Sequence, residues 1–176
     1  MPVPTYSLRM EHISKSFGPV QALKDVTFAA RPGTVHALCG ENGAGKSTLM
    51  KVLSGVHMAD AGRIHLHEEP QAFTKPSEAI EAGISMLYQE LDLAEHMKVY
   101  ENVFLGREIM SAIPFRIDAP AMIRQTRELC EQYGFRLDPE APISSLTPGE
   151  CQLVELLKAL MRNARVIVMD EPTSSL

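Results

Sequence analysis

The segment Gly40–Ser47 reads Gly-Glu-Asn-Gly-Ala-Gly-Lys-Ser and matches the pattern GxxxxGK[ST] at every fixed position. Its three glycines let backbone N–H groups turn inward around a polyphosphate, and the N-terminus of a following helix adds partial positive charge. Lys46 would neutralise the β- and γ-phosphates, and the Ser47 hydroxyl would ligate Mg²⁺. A merely flexible turn is the alternative, and the ordered spacing argues against it. The segment therefore predicts a site for a nucleoside triphosphate.

The residues on either side of this segment predict a strand and a helix. Val35–Cys39 is a short, almost wholly apolar run, typical of a strand buried on both faces of a parallel sheet. A helix is predicted from about Lys46 to Leu53, and it ends near Gly55. A strand, a glycine-rich turn and a helix in this order are the context that a phosphate-binding loop needs.

A second apolar run supplies the carboxylates that such a site requires. Val166–Met169 predicts a buried strand that ends in Asp170 and Glu171. Asp170 would lie near the Mg²⁺ bound by Ser47, and Glu171 could polarise an attacking water as a general base. Alone, this run would also fit a strand followed by a solvated turn, but together with the upstream phosphate loop it favours the functional interpretation.

The first 90 residues predict further strands. Tyr6, Leu8 and Met10 alternate with polar residues, and apolar residues at 26 and 28 and at 64 and 66 indicate two more half-buried strands. Ser77 is a plausible N-cap for a brief helix that ends at Gly83, and Ile84–Tyr88 is another short apolar run.

From Leu91 to Leu137 the pattern becomes helical. The clearest helix opens at Asp118, has proline in its first turn and closes at Gly134. Another helix begins at Thr147, where Thr147-Pro148-Gly149-Glu150 fits a capping box with proline at the first helical position.

Composition limits the remaining function classes. The chain has 176 residues and 17 Lys and Arg against 22 Asp and Glu, so its formal net charge of −5 gives no general attraction to nucleic acid. No apolar run is long enough to span a bilayer, and the N-terminus lacks the features of a signal peptide. The three cysteines are scattered, which favours the reducing cytoplasm over a disulfide framework or a metal knuckle.

Four motifs carry a resemblance to a known family: Glu41–Met50, Tyr88–Glu90, Glu101–Glu108 and Asp170–Leu176. From Ser7 to Leu176 the chain resembles the nucleotide-binding domain of ABC transporters, most closely the carbohydrate importers of the ribose, galactose and allose type. The resemblance implies an α/β fold, a P-loop NTPase of the ABC ATPase type with an N-terminal antiparallel β subdomain and a helical subdomain. The corresponding segments are 1–90 (β subdomain and phosphate-loop core), 91–162 (helical subdomain and signature helix) and 163–176 (Asp-Glu strand and start of the D-loop).

The resemblance also implies roles for single residues. Phe17 takes the place of the aromatic residue that stacks on adenine, with a core Phe at a strand end as the alternative. Gln89 takes the place of the Q-loop glutamine, which contacts Mg²⁺ or the attacking water and senses the membrane partner. The implied catalytic residues are Glu171 and Gln89, and the implied Mg²⁺ ligands are Ser47, Gln89 and Asp170. The implied ATP contacts are Phe17, Gly40, Glu41, Asn42, Gly43, Ala44, Gly45, Lys46, Ser47, Thr48, Thr147 and Gly149.

The signature motif departs from the family pattern. It reads Leu146-Thr147-Pro148-Gly149-Glu150 where Leu-Ser-Gly-Gly-Gln is usual. Thr147 keeps the hydroxyl and Gly149 keeps the close backbone approach, while Pro148 removes one N–H and Glu150 brings a negative charge. In a head-to-tail dimer this motif would close over the γ-phosphate held by the opposite subunit, and we expect it to work.

The resemblance predicts an incomplete core sheet. In this family the switch histidine lies at the end of the strand after the D-loop, and that strand inserts between the phosphate-loop strand and the Asp-Glu strand. All six histidines precede Asp170, so none can take that role by position. Val35–Cys39 and Val166–Met169 would then each face a gap, and unpaired strand edges cost free energy. We therefore expect a truncated or partial domain that has weak ATPase activity, or none, by itself.

Three hypotheses on function follow. In the first, the chain is the ATP-binding subunit of an importer that couples hydrolysis of ATP, with Mg²⁺, to carbohydrate uptake at the inner face of the plasma membrane. Its partners would be a second nucleotide-binding domain, a membrane permease contacted through Leu91–Leu137 and, indirectly, a periplasmic sugar-binding protein. In the second, it is a non-catalytic ATP-binding remnant without the switch histidine. The third, an ABC ATPase acting on nucleic acid or ribosomes, is disfavoured by the absence of a Lys/Arg-rich insert.

Overall fold

The computed structural model of the chain describes residues 6–88, 92–113 and 115–170. Its strands are β1 (Leu8–Phe17), β2 (Val20–Ala30), β3 (Ala61–Leu66), β4 (Glu69–Gln71), β5 (Ile84–Leu87) and β6 (Val166–Met169). Its α-helices are α1 (Lys46–Leu53), α2 (Pro76–Glu81), α3 (Val99–Val103), α4 (Ala119–Tyr133) and α5 (Pro148–Met161). The chain divides into two compact units, Met1–Ser85 with Arg165–Val168, and Met86–Ala164 with Met169–Leu176.

The first unit contains a four-stranded antiparallel sheet in the order β2-β1-β3-β4. Leu8 and Met10 are buried as the alternation predicts, but the next buried residue of β1 is Ile13, three positions on. The register of β1 against β2 shifts between Met10 and Ile13, and His12 has a φ of 55° within that interval. A β-bulge inserts one extra residue, so the buried face of the strand moves by one position.

The hydrophobic core of the first unit joins this sheet to α1 and β5. It buries Leu8, Met10, Ile13, Leu23, Leu49, Val52, Leu53, Ile64, Leu66, Phe73, Ala79 and Ile84. Two predictions are confirmed here, since α1 spans Lys46–Leu53 and β3 contains Ile64 and Leu66. The predicted start of α2 was wrong by two residues. Its N-cap is Lys75 rather than Ser77, and Pro76 occupies the first helical position.

The prediction of a buried strand at Val35–Cys39 was wrong. This segment has no regular secondary structure, every residue in it is exposed, and the side chain of Val35 is fully accessible. A central strand forms only when neighbouring strands satisfy its N–H and C=O groups, and the strands of the described residues pair as one four-stranded sheet and one β5-β6 pair. Similarly, Val166–Val168 are half-buried and Met169 is exposed, so β6 is not buried on both faces.

The second unit is largely helical, and its helix boundaries follow the predicted caps. The Asp118 side chain accepts a hydrogen bond from the Ala121 N–H at 3.0 Å, and α4 ends at Gly134 with a φ of 72°. The core of this unit buries residues of α3, α4 and α5 together with Phe104 and Ile143: Val99, Tyr100, Val103, Phe104, Met122, Cys130, Ile143, Val154 and Leu157.

Asn102 is a buried polar residue at the centre of the second unit. It is 1% exposed. Its Oδ1 accepts a hydrogen bond from the Ala94 N–H at 2.8 Å, and its Nδ2 donates to the carbonyls of Ala94 and Lys98 at 3.2 and 3.1 Å. The Asn102 side-chain amide therefore links the loop before α3 to the start of that helix. These hydrogen bonds compensate for the burial of the polar group.

Candidate nucleotide-binding site

The loop before α1 has the backbone conformation that a phosphate cradle needs. Gly43 and Gly45 have φ values of 85° and 88°, in the left-handed region that side chains disfavour. A Cβ on Gly45 would lie 2.7 Å from the Ala22 carbonyl oxygen and 2.9 Å from Leu23 Cδ2. The chain passes so close to β2 at this point that only glycine fits, and the loop shape is therefore fixed by the sheet behind it.

The first turn of α1 keeps its backbone N–H groups available for an anion. Its N-cap is Gly45, with no side-chain cap hydrogen bond and no acidic residue in the first turn. The first N–H groups of a helix have no partner within the helix, and here no side chain of the cap supplies one. Ser47 is exposed and Thr48 is half-buried in this turn, which leaves the Ser47 hydroxyl accessible to a ligand.

The Lys46 ammonium lies within the loop itself. Its Nζ donates hydrogen bonds to the carbonyl oxygens of Gly40 at 2.7 Å and Glu41 at 2.9 Å. The cation is thus held beside the N-terminus of α1, where the partial charges of the helix have the same sign. The ammonium and the first turn of α1 therefore belong to the same loop, which is where a polyphosphate would bind.

Phe17 lies at the end of β1, and 43% of its surface is exposed. Its ring contacts the His57 ring edge-on, with centroids 5.0 Å apart and planes at 70°, and Lys15 Nζ lies over it at 5.6 Å from the centroid. A core phenylalanine would be buried, so the exposure of Phe17 argues against that alternative. Part of the residue is accessible to a planar ligand.

The signature residues lie at the N-terminus of α5. The Thr147 N–H and hydroxyl both donate to Glu150 Oε2 at 2.8 Å, and the Glu150 N–H donates to Thr147 Oγ1 at 3.4 Å. The hydrogen bond from the Thr147 N–H is the main reason that the pKa of Glu150 lies below its usual value. The predicted capping box is therefore confirmed, and Glu150 brings an anion to the helix N-terminus.

The remaining predicted residues follow β5 or β6 in the sequence. Asp170 follows β6, and its N–H donates to the Leu87 carbonyl at 3.1 Å. Gln89 and Glu171 lie outside the described residues. The phosphate loop and Phe17 belong to the first unit, while Thr147, Gly149 and Asp170 belong to the second.

The residues present fit a nucleoside triphosphate with Mg²⁺. The glycine cradle, the Lys46 ammonium and the uncapped helix match what a polyphosphate requires. No cluster of three or more Asp, Glu, His or Cys side chains that could hold a metal occurs among the described residues.

The profile of the ABC transporter family matches residues 23–174. The chain belongs to the ABC transporter family. The match includes the phosphate loop, the signature helix and Asp170, whereas Phe17 precedes the matched residues.

Curated ABC relatives align over nearly the whole chain. It is 47% identical over 173 residues to a putative ribose/galactose/methyl galactoside import ATP-binding protein of Pseudomonas savastanoi pv. phaseolicola, covering 98% of this chain and 33% of that protein. It is 51% identical over 171 residues to a ribose import ATP-binding protein of Chromobacterium violaceum, covering 95% of this chain and 33% of that protein. The chain thus spans about a third of the length of the curated relatives it matches.

Solved ABC structures share the fold. A nucleotide-free ATP-binding cassette from an ABC transporter matches with a TM-score of 0.81 at 30% identity, over 97% of this chain and 71% of that one. A cassette in its ADP conformation matches with a TM-score of 0.80 at 29% identity, over 97% and 70% of the two chains. The predicted fold class, a P-loop NTPase of the ABC ATPase type, is confirmed.

Sequence reasoning missed the residues that surround Phe17. Lys15, His57 and Asp60 were not predicted as part of any site, although the structure places them around the end of β1. Lys15 and Asp60 are 45 positions apart, and no local pattern links residues at that separation. Only the register of β1 against β3 brings them together.

Proposed function

We propose that the chain is the ATP-binding part of an ABC importer subunit that couples ATP binding and hydrolysis to carbohydrate uptake. The observation that carries this proposal is the Lys46 ammonium, which is hydrogen-bonded within its own loop beside the uncapped N-terminus of α1. The carbohydrate is supported by the curated relatives, whose names describe the import of ribose or galactose. These names favour transport over a non-catalytic remnant.

The triphosphate would bind at the phosphate loop. Lys46 would exchange the carbonyls of Gly40 and Glu41 for β- and γ-phosphate oxygens, because an anion is a stronger partner for an ammonium than a neutral carbonyl. The N–H groups of residues 43–48 would donate to the same oxygens. Ser47, Gln89 and Asp170 would hold Mg²⁺, which when bound neutralises phosphate charge and orients the γ-phosphate.

Hydrolysis needs a group that takes a proton from water. Glu171 would act as the general base, and Gln89 would position the water. The signature residues Thr147 and Gly149 would approach the γ-phosphate of the opposite subunit in a head-to-tail dimer. Glu150 carries a negative charge at the same helix end. Its hydrogen bonds with Thr147 hold the carboxylate against the backbone at the start of α5.

The partners follow from importer architecture. A membrane permease would dock on the stretch 91–137, where several apolar side chains are exposed: Leu105, Met110, Ile113, Phe115 and Ile117. A periplasmic sugar-binding protein would act through the permease. Within the described ranges no helix is long and apolar enough to cross a membrane, and we place the subunit on the cytoplasmic face, attached through the permease.

Calorimetry with Mg-ATP tests the nucleotide site. The wild-type protein is expected to release or absorb heat on binding, and Lys46→Ala is expected to lose most of the affinity because phosphate charge would be left without its cation. Lys24→Ala, an exposed lysine of β2 in the same unit, is the matched control and should bind as the wild type does. Binding that is equal in Lys46→Ala and the wild type would refute the site.

A further inference from the structure

The ring of Phe17 is held on two sides by charged or aromatic neighbours. The His57 ring contacts it edge-on at 5.0 Å, and the Lys15 ammonium lies over the ring at 5.6 Å from the centroid. Aromatic pairs prefer this edge-to-face arrangement, and a cation is attracted to a ring face. Because 43% of the residue is still exposed, part of the ring is available to a further planar group.

Asp60 fixes the end of β1 that carries Phe17. Its Oδ1 accepts a hydrogen bond from Lys15 Nζ at 2.7 Å, and its Oδ2 accepts one from the Ser16 N–H at 2.7 Å. Its own N–H donates to the Ser14 carbonyl at 2.8 Å. Ser14, Lys15 and Ser16, the three residues before Phe17, therefore each form a hydrogen bond with Asp60.

In the Lys15–Asp60 ion pair, the lysine side chain is largely shielded from solvent. The Lys15 side chain is 16% exposed, against 45% for Asp60. Water competes less with a pair when one partner is largely buried, so this pair is more than a solvated surface contact. It also holds the Lys15 ammonium in the place from which it faces the Phe17 ring.

His57 connects Phe17 with the helix of the phosphate loop. The N–H groups of Val56 and His57 donate to the Lys51 carbonyl of α1 at 3.0 and 3.1 Å. Gly55 makes this turn possible, since it has a φ of 73° and a Cβ there would lie 2.7 Å from the Lys75 carbonyl oxygen. The same helix begins at Lys46, so the ring contact ties Phe17 to the element that binds phosphate.

We propose that Lys15, His57 and Asp60 are positioning residues that hold the Phe17 ring so that its open surface stacks on the base of a bound nucleotide. This inference rests on the proposed function, because it needs a nucleotide at the phosphate loop. The residues act through Phe17. Their contribution is to fix the orientation of the ring before the base arrives, which reduces the entropy lost on stacking.

A comparison of two ligands separates positioning from general stability. Mg-ATP has a base, whereas Mg-tripolyphosphate has the phosphates alone, and calorimetry measures both with the same protein. We expect His57→Ala and Asp60→Asn each to weaken ATP binding by about 5-fold, the lower end of what loss of one base–aromatic stack costs, with tripolyphosphate affinity unchanged. His57→Phe should restore ATP binding because it keeps an aromatic ring against Phe17.

A double-mutant cycle supplies the second readout. In a Phe17→Ala background, His57→Ala should have no further effect on ATP affinity, because the ring that His57 positions is gone. Arg124→Gln, which removes an exposed ion pair in α4, is the matched control for Asp60→Asn and should leave both ligands unaffected. Since tripolyphosphate binding reports an intact phosphate loop, it also shows that each variant is folded.

The outcomes distinguish this inference from the function on which it rests. Equal losses for ATP and tripolyphosphate in His57→Ala, or no loss for either, would overturn the positioning role while leaving the phosphate site intact. An additive effect of His57→Ala in the Phe17→Ala background would overturn it as well. If the wild-type protein bound neither ligand, or if Lys46→Ala bound both equally well, the proposed function itself would fail.

Discussion

The Glu150 carboxylate accepts hydrogen bonds from both the backbone N–H and the hydroxyl of Thr147, each at 2.8 Å. The residue that most alters the family's signature motif is therefore fully engaged at the start of its own helix. A glutamine at this position could accept the same hydrogen bonds but would carry no charge. The substitution thus adds an acid whose protonation state is coupled to the stability of α5.

Glu150 should make the stability of the protein depend on acid pH. Its pKa is lowered in the folded chain, chiefly by the hydrogen bond from the Thr147 N–H, from an ordinary value of 4.5. A depressed folded pKa means that the stabilisation is complete above about pH 4.5 and is lost as the pH falls through the folded pKa. We expect the stability difference between the wild type and Glu150→Gln, measured by urea denaturation, to shrink as the pH is lowered through this window.

The matched control for this measurement is Glu128→Gln. Glu128 is an exposed carboxylate of α4 that is 4.0 Å from its partner Arg124. Exposed pairs at such distances contribute little to stability, so this variant should follow the pH profile of the wild type. A difference between the wild type and Glu150→Gln that is constant with pH would contradict the assignment.

Gly45 is required by two independent constraints, and its replacement should be costly. Gly45→Ala places a side chain at a φ of 88° and a Cβ 2.7 Å from the Ala22 carbonyl oxygen. We expect the free energy of unfolding to fall by about 1–3 kcal/mol from backbone strain, and Mg-ATP binding to be lost because the loop must move. Denaturant unfolding and calorimetry measure the two effects.

Gly33→Ala separates the two constraints on Gly45. Gly33 also has a positive φ, 66°, but a Cβ there would meet nothing within 4 Å. This variant should lose only about 1 kcal/mol, the cost of left-handed backbone for alanine, and should keep its affinity for ATP. Equal losses in the two variants would show that the approach of Gly45 to β2 does not matter.

Predictions from the sequence were accurate for features that depend on neighbouring residues. They failed for features that depend on residues far apart in the chain. Helices α1 and α4 were predicted with both boundaries and α5 with its start, because caps such as Asp118 and Thr147 are local signals. The strand at Val35–Cys39 was predicted wrongly because an apolar run becomes a central strand only with partners on both sides. The Lys15–Asp60 pair could not be predicted, since the two residues meet only through the register of β1 and β3.

Asn102 belongs to one of the motifs that resemble sugar importers, yet its role in this structure is structural. Asn102→Ala would leave the Ala94 N–H without its side-chain partner in a partly buried environment, whereas the Ala94 carbonyl keeps the hydrogen bond from the Met97 N–H. We expect the free energy of unfolding to fall by about 1–3 kcal/mol, since a donor left unsatisfied away from water costs its desolvation free energy. Gln125→Ala, at an exposed position of α4, should change it by less than about 0.5 kcal/mol. Similar values for both would contradict this role.

Glu171 carries the most specific chemical prediction of the proposed function. Glu171→Gln should bind Mg-ATP as the wild type does, because the phosphate loop is unchanged, but its hydrolysis rate should fall at least about 100-fold through loss of the general base. Phosphate release and calorimetry on the same preparation measure the two quantities. Glu140→Gln, an exposed carboxylate in the second unit, is the control and should hydrolyse ATP normally. Hydrolysis that is unchanged in Glu171→Gln would remove Glu171 from this role.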